Sequence, residues 1–107
     1  MIHSMQSVMP RESYICTAIR TRSLLEFDYH GLHRVVAPYC HGVSTRGSEV
    51  IRAVQVRGAS KSGGLGFGKL WLVADMHNAR VLNETFVADD SSYNPNDNGM
   101  QLIHCRI

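Results

Sequence analysis

The chain has 107 residues, which is enough for one domain with a single modest core and too few for a P-loop fold with its several crossover units. Its composition is 44% hydrophobic and 19% charged, as in ordinary globular proteins, and no apolar run approaches the roughly 18 residues of a membrane span. The net charge of +2 is unevenly divided: residues 1–69 carry nine Lys and Arg against four Asp and Glu, and residues 70–107 carry two against five. A basic first part favours an anionic ligand, but this total is far below that of a dedicated duplex-DNA-binding protein.

The N-terminal segment and the cysteines indicate a reducing compartment. No charged stretch followed by an apolar one is present near the start, so the sequence shows no secretory signal and a cytoplasmic location is expected. The cysteines, Cys16, Cys40 and Cys105, are odd in number and have no C-x-x-C spacing, which argues against a disulfide framework and against a thiolate zinc site. We therefore expect three reduced, mostly buried cysteines and no membrane association.

One helix is predicted over about residues 10–22. Pro10 suits a first helical turn because it has no N–H to leave unpaired, and Ile15, Ala18 and Ile19 follow the i, i+3, i+4 spacing of an apolar stripe. This segment therefore predicts a short amphipathic helix.

The apolar period changes to two after the helix. Leu25, Phe27 and Tyr29 alternate with Glu26 and Asp28, which predicts a strand with one buried face. A tight turn at residues 30–31 leads into the second strand, where a proline suits an edge or the strand's end. The further predicted strands are 32–41, 50–57, 69–75, 79–86 and 100–107, with loops at 43–49, 58–68 and 88–99.

These elements predict a mainly β single domain spanning residues 1–107. One N-terminal helix precedes a small five- to six-stranded antiparallel barrel of the Sm or SH3 type, and no helices alternate with the strands to suggest a parallel sheet. The barrel is expected over about residues 24–87, followed by a C-terminal loop and strand at 88–107.

The order of several segments resembles the WYL domain, an Sm-like barrel found in many bacterial transcription regulators. The resemblance covers about residues 14–87, and Glu49-Val50-Ile51 stands where the W-Y-L tripeptide would align. The positions that carry it are Ala18-Ile19-Arg20, Tyr29, Arg34 with Val36 and Pro38, Leu72 with Asp75 and Met76, and Val81 to Phe86. It implies a stand-alone, non-enzymatic sensor module that binds a nucleotide or single-stranded nucleic acid.

The glycine-rich stretch "GGLGFGKL" at 63–70 comes within one residue of a phosphate-binding P-loop. Gly63, Gly68 and Lys69 occupy its fixed positions, but Leu70 replaces the hydroxyl residue that would bind a metal ion. A P-loop also leads into a helix, whereas Lys69 leads into a strand-like "LWLVAD". The stretch is therefore interpreted as a hairpin loop, with ligand contact by a lysine as the alternative.

Basic and aromatic residues of the predicted strands are the candidate ligand site. Arg52 and Arg57 point to opposite faces of a regular strand, so one shared site would need a bulge. The alternative is solvated charges or ion pairs with Glu26, Asp28 and Glu49. The candidates for phosphate are Arg34, Arg52, Arg57 and Lys69, and those for base stacking are Tyr29 and Trp71.

Metal and catalytic sites are not predicted. His30, His33, Cys40 and His41 flank two strand ends, but strand alternation points them to different sides. The stretch 94–99 follows the rhythm of a calcium loop without its first and last carboxylates, so it is interpreted as a turn. No nucleophile has a fixed base and third partner, so neither an enzyme nor a cofactor is expected.

The second functional hypothesis is a protein-interaction or self-assembling module. Sm-like barrels have edge strands that pair with other chains, and the C-terminal "MQLIHCRI" is apolar and β-prone. A homo-oligomer formed through edge strands or this C-terminal strand is the alternative to ligand binding.

Overall fold

A computed structural model describes residues 13–59 and 69–107, and it confirms a mainly β chain in which one N-terminal helix precedes antiparallel strands. Among these residues, no helix has the length and apolar character needed to cross a membrane. The elements are α1 (Tyr14–Thr21), β1 (Ser23–Tyr29), β2 (Leu32–Ser44), β3 (Glu49–Gly58), β4 (Leu70–Leu72), a 3-10 turn (Val73–Asp75), β5 (Met76–Thr85) and β6 (Met100–Arg106).

Helix α1 begins at a side-chain cap. The Ser13 hydroxyl accepts a hydrogen bond from the Cys16 amide at 3.1 Å, and Arg22 ends the helix in the left-handed conformation with φ of 57°. The predicted apolar stripe is confirmed, because Ile15 and Ile19 are buried against the sheet. The expected beginning at residues 10–12 lies outside the described residues.

The strand order is β4-β3-β2-β1-β5, and β6 also pairs with β2. Strand β2 is longer than predicted because one of its edges serves two partners: its first part pairs with β1 and its last part with β6, while β3 runs along the other edge. Pro38, expected at an edge or strand end, lies inside β2 in the gap between β1 and β6, where a missing N–H costs no bond to either strand. Within the described ranges the end strands β4 and β5 do not pair, so the sheet is open and the expected closed barrel is not confirmed.

Two strand boundaries differ from the prediction. The segment expected as one strand at 69–75 pairs with β3 only at Leu70–Leu72, because the chain then turns at Val73–Asp75 and crosses to the far side of β1. Strand β5 begins at Met76, three residues before the prediction, since Asn78 takes the left-handed conformation (φ of 55°) at a register shift and lets pairing continue.

The sheet is packed on both faces. On one face, α1 covers a cluster that contains Phe27, Tyr29 and Trp71. On the other face, a cluster around Tyr39 packs against Phe86 and Tyr93 from the segments after β5. The two-residue turn between β1 and β2 is confirmed, since His30 and Gly31 both have the positive φ that such a turn requires (52° and 78°).

The prediction of three reduced cysteines is wrong for two of them. Cys16 of α1 and Cys105 of β6 form a disulfide across a sequence separation of 89 residues. Pairing of β6 with the end of β2 brings the chain's last strand beneath the helix, and an odd cysteine count cannot reveal this. Cys40 is the free thiol; it is buried, and this burial raises its pKa to about 11, which keeps it protonated and unreactive.

Candidate anion-binding site

Four of the six predicted ligand residues lie together at one end of the sheet. Tyr29 ends β1, and Arg34 is near the start of β2. Lys69 immediately precedes β4, and Trp71 is the middle residue of β4. We call these four residues the cation–aromatic cluster. The glycine-rich stretch at residues 60–68, which leads into Lys69, lies outside the described residues.

Arg34 is a buried cation. Only 2% of its surface is exposed, and its Cζ lies 5.7 Å from the centre of the Tyr29 ring and 5.5 Å from that of Trp71. Its Nη2 donates to the backbone carbonyl of Tyr29 at 3.2 Å and its Nη1 to Oε1 of Gln55 at 3.4 Å. The Nε–H has no acceptor among the described residues, and none of their carboxylates forms an ion pair with this guanidinium.

Gln55 is held in place by the backbone that follows it. Its amide nitrogen donates to the carbonyl of Ala59 at 2.9 Å and to that of Arg57 at 3.3 Å, which leaves its oxygen directed at Arg34. This orientation fixes one edge of the guanidinium, and the Nε edge has no partner in the described part of the chain. Gln55 was missed in the sequence because an amide at a strand position has no pattern that marks it.

Lys69 adds an exposed positive charge to the same place. Its ammonium nitrogen lies 4.4 Å from the centre of the Trp71 ring and 5.9 Å from that of Tyr29, within the range of a cation–π interaction. Two cations therefore share one pair of rings, and no described carboxylate forms an ion pair with either of them. Such an arrangement repels a third cation and attracts an anion.

The two rings of the cluster belong to the core. Tyr29 and Trp71 are 4% and 1% exposed and meet edge to face, with ring centres 4.9 Å apart. The indole N–H donates to the carbonyl of Ala53, and the Tyr29 hydroxyl accepts from the amide of Leu72. The rings thus hold the cations in position, and a base could stack on them only after the core had opened.

The other two predicted phosphate residues are held in ion pairs. Arg52 forms a two-pronged pair with Asp97, at 2.6 and 2.8 Å, and its hydrogen bonds lower the pKa of that carboxyl group. Arg57 pairs in the same way with Glu84 at the surface. Ion pairs are the predicted alternative for these two arginines, and both arginines form them. Their partners, Asp97 and Glu84, are not the predicted ones, because they lie 45 and 27 residues away in sequence.

The four residues considered as metal ligands in the sequence, His30, His33, Cys40 and His41, do not lie together. His30 pairs with Asp75 at 3.2 Å and His33 with Glu26 at 3.3 Å, both near the β1–β2 turn. Cys40 faces a buried cluster with Met100. Strand alternation separates Cys40 from His41, as predicted, whereas His33 is separated from His41 by eight positions along β2.

His41 instead meets Glu49 and His104, and we call these three residues the histidine cluster. Its Nε2 lies 3.0 Å from Oε1 of Glu49, and Nε2 of His104 lies 3.1 Å from both oxygens of the same carboxylate. The sequence did not indicate this group because His104 belongs to a strand 55 residues beyond Glu49.

The segment at 94–99 is a turn, as predicted. Its Asn94 and Asp97 oxygens accept hydrogen bonds from the amides of Asn96 and Gly99, at 3.0 and 2.8 Å. Asp97 is therefore occupied by the turn and by Arg52, which agrees with the interpretation that this is not a calcium loop.

Comparisons with protein-family models, with curated proteins and with solved structures found no match to this chain. The resemblance to the WYL domain therefore stays a prediction. Any functional argument rests on the chemistry of the two residue clusters.

Proposed function

We propose that this domain is a non-enzymatic binding module for a small anionic ligand of the nucleotide type, whose phosphate group lies between Arg34 and Lys69. The observation that carries the proposal is the buried guanidinium of Arg34, which has an unpartnered N–H and no carboxylate partner among residues 13–59 and 69–107. This function agrees with the sensor role that the WYL resemblance implies.

The burial of the Arg34 guanidinium carries an energetic cost. Removing an ion from water costs several kcal/mol after relaxation, and proteins ordinarily offset this with an opposite charge. The two rings offset part of the cost at Arg34, since a desolvated cation–π contact contributes about 2 kcal/mol. A phosphate bound by the exposed ammonium of Lys69 would supply the missing opposite charge close to the buried guanidinium.

A compact anion fits this site better than a long nucleic-acid strand. Strand binding needs a track of available cations and open aromatic faces, but Arg52 and Arg57 are held by Asp97 and Glu84. The rings of the cation–aromatic cluster are buried as well. The chemistry therefore favours one phosphate or diphosphate group over an extended oligonucleotide.

The direct test is calorimetric titration with inorganic pyrophosphate, AMP, ATP, a cyclic nucleotide and a ten-nucleotide single strand. We expect at least one phosphate compound to bind and to raise the melting temperature, because a ligand that prefers the folded state stabilises it. Lys69→Gln, which removes an exposed charge, should weaken that binding by about tenfold, equivalent to about 1.4 kcal/mol.

Arg46 provides the matched control, because it is an exposed cation in the β2–β3 turn, outside the cluster. Arg46→Gln should leave the affinity unchanged. Arg34→Met, which keeps the volume of the side chain and removes its charge, should abolish binding. The proposal fails if no phosphate compound binds at up to about 1 mM at low salt, or if Lys69→Gln and Arg46→Gln weaken binding equally; tighter binding of the single strand would favour a nucleic-acid ligand.

A second candidate function is self-association through β5. This ten-residue strand ends the sheet, is mostly exposed, and carries Val81 at 37% exposure, with Val87 after it at 76%. A long edge strand with apolar residues favours pairing with another chain. Sedimentation equilibrium of the natural chain and of Val81→Lys tests this function: a concentration-dependent dimer that the substitution removes would support it, and a monomer throughout would eliminate it.

We also propose a cytoplasmic location, and the oxidation state of the cysteines in the cell tests it. Disulfides are rare in that compartment, so a Cys16–Cys105 bond that persists in the cell would count against it. Alkylation of thiols at the moment of cell lysis, followed by mass spectrometry, would measure the fraction that is oxidised.

A further inference from the structure

The histidine cluster is assembled from three neighbouring strands. His41 is on β2, Glu49 begins β3 on one side of it, and His104 is on β6 on the other side. His41 lies seven residues along β2 from Arg34, so the cluster is separate from the proposed anion site. Whatever the cluster binds is independent of the proposed function.

A β-bulge brings His104 into the cluster. In the register of β2 with β6, His41 is opposite Cys105 and Gly42 is opposite Ile103, so His104 is the extra residue of β6. In a regular strand, His104 would point away from the face that Cys105 uses. The bulge redirects its side chain, and the two imidazole rings meet with their centres 4.9 Å apart.

The three side chains converge on one point. Oε1 of Glu49 lies 3.0 Å from Nε2 of His41 and 3.1 Å from Nε2 of His104, and all the potential ligand atoms lie within 4.8 Å of one another. His41 is 7% exposed, whereas Glu49 and His104 are open to solvent. Zinc bonds of about 2.0–2.1 Å place tetrahedral ligand atoms about 3.3 Å apart. The two nitrogen-to-oxygen distances are within a few tenths of an ångström of that value, and the two nitrogens lie within 4.8 Å of each other.

We propose that His41, His104 and Glu49 bind a zinc ion through the two Nε2 atoms and the carboxylate, with a fourth position open to water. Two histidines and one glutamate form a ligand set that proteins use for zinc with an exchangeable water. Zinc binds imidazole in its uncharged form, through the nitrogen that carries no proton.

The neighbouring disulfide prepares His41 for this role. Nδ1 of His41 lies 3.8 Å from Sγ of Cys16, and a sulfur within a disulfide carries no hydrogen, so it can only accept. When zinc takes Nε2, the ring proton resides on Nδ1 and is directed at this sulfur. An acceptor at the second nitrogen is the usual way in which proteins orient a metal-binding histidine. Cys16 is thus a positioning residue.

The disulfide also distinguishes the histidine cluster from a second possible zinc site, one with thiolate ligands. Cys16, Cys105 and Nδ1 of His41 also lie within ligand range of one another, but the two sulfurs are bonded to each other and cannot serve as thiolates. A dithiol reductant would transfer two electrons to the disulfide and release two thiols, which zinc would convert to thiolates with loss of two protons. Zinc binding by the oxidised protein therefore identifies the histidine cluster.

The test is titration of the oxidised, chelator-treated full chain with zinc chloride, in competition with a chromophoric chelator. We expect one zinc ion per chain and movement of the His41 and His104 ring signals in NMR spectra. His104→Asn and Glu49→Gln, both at exposed positions, should weaken binding by about tenfold to a hundredfold. His33→Asn is the matched control, because His33 also contacts a carboxylate, Glu26, but no third ligand joins them among residues 13–59 and 69–107; it should have no effect.

Three results would overturn the proposal. The first is the absence of stoichiometric zinc binding by the oxidised protein. The second is an equal loss of affinity in His33→Asn and His104→Asn, which would indicate scattered surface binding. The third is zinc binding that appears only after reduction, since that would place the metal on the cysteines.

Discussion

The disulfide between Cys16 and Cys105 should provide a large share of the stability of this domain. It joins α1, at the start of the described fold, to β6 at its end, so it closes almost the whole described chain into one loop. In the chain-entropy account, a loop of 89 residues lowers the entropy of the unfolded chain by about 15.5 cal/mol/K, or about 4.6 kcal/mol at 25 °C. Domains of this size have total stabilities of about 5–15 kcal/mol.

The double substitution Cys16→Ala with Cys105→Ala removes this disulfide. Unfolding entropies of about 2.1 cal/mol/K per residue give about 0.22 kcal/mol/K for 107 residues, so the loss corresponds to a fall of about 20 °C in melting temperature. Urea unfolding followed by tryptophan fluorescence measures the same loss at 25 °C through the buried Trp71.

Two controls distinguish the stability lost with the disulfide bond from any stability lost by changing the two side chains. A dithiol reductant should destabilise the natural protein by a similar amount and leave the double variant unchanged. Thiol titration of the unreduced protein in denaturant should find one reactive thiol, that of Cys40. Three thiols, or a double variant within about 1 kcal/mol of the natural protein, would refute this reasoning.

Three further substitutions or conditions test the packing around the sites. Asp97→Asn should lower the free energy of unfolding by about 2–3 kcal/mol in urea, because it leaves the mostly buried Arg52 without its counter-ion; no loss would mean that water replaces the pair. The lowered pKa of buried His41 means that the unfolded chain binds a proton first as pH falls. Stability should therefore decline below about pH 6.5, by at most about 1.4 kcal/mol per pH unit, and His41→Asn should flatten this part of the measured pH profile. Gly42→Ala should cost about 1–3 kcal/mol in thermal unfolding, since its Cβ would collide with the backbone carbonyl of Leu102; an unchanged melting temperature would mean that β6 can shift freely.

Much of the fold could be predicted from local periodicity. The apolar spacing at Ile15 and Ile19 predicted α1, and the alternation through Phe27 predicted β1, because each element repeats its buried face within a few residues. The turn at residues 30–31 followed from its dipeptide. Strand ends were less certain, as at β5, where a left-handed Asn78 lets the predicted strand begin three residues earlier, at Met76.

The candidate sites depended on contacts that the sequence does not contain. It offered six candidate ligand residues, but it did not show that Arg34 would be buried between the rings while Arg52 and Arg57 found acidic partners elsewhere. Partner choice follows from strand register, and a register shift of one residue reverses the face of every side chain.

Local sequence patterns predicted the class of the fold, the order of its helix and strands, and the buried faces of α1 and β1. Only the tertiary structure decided that the sheet stays open, that Cys16 meets Cys105, and that a bulge at His104 completes the histidine cluster. The physical reason is the range of the interactions: periodicity and turn chemistry act over a few residues, whereas a disulfide across 89 residues depends on how β6 pairs with β2.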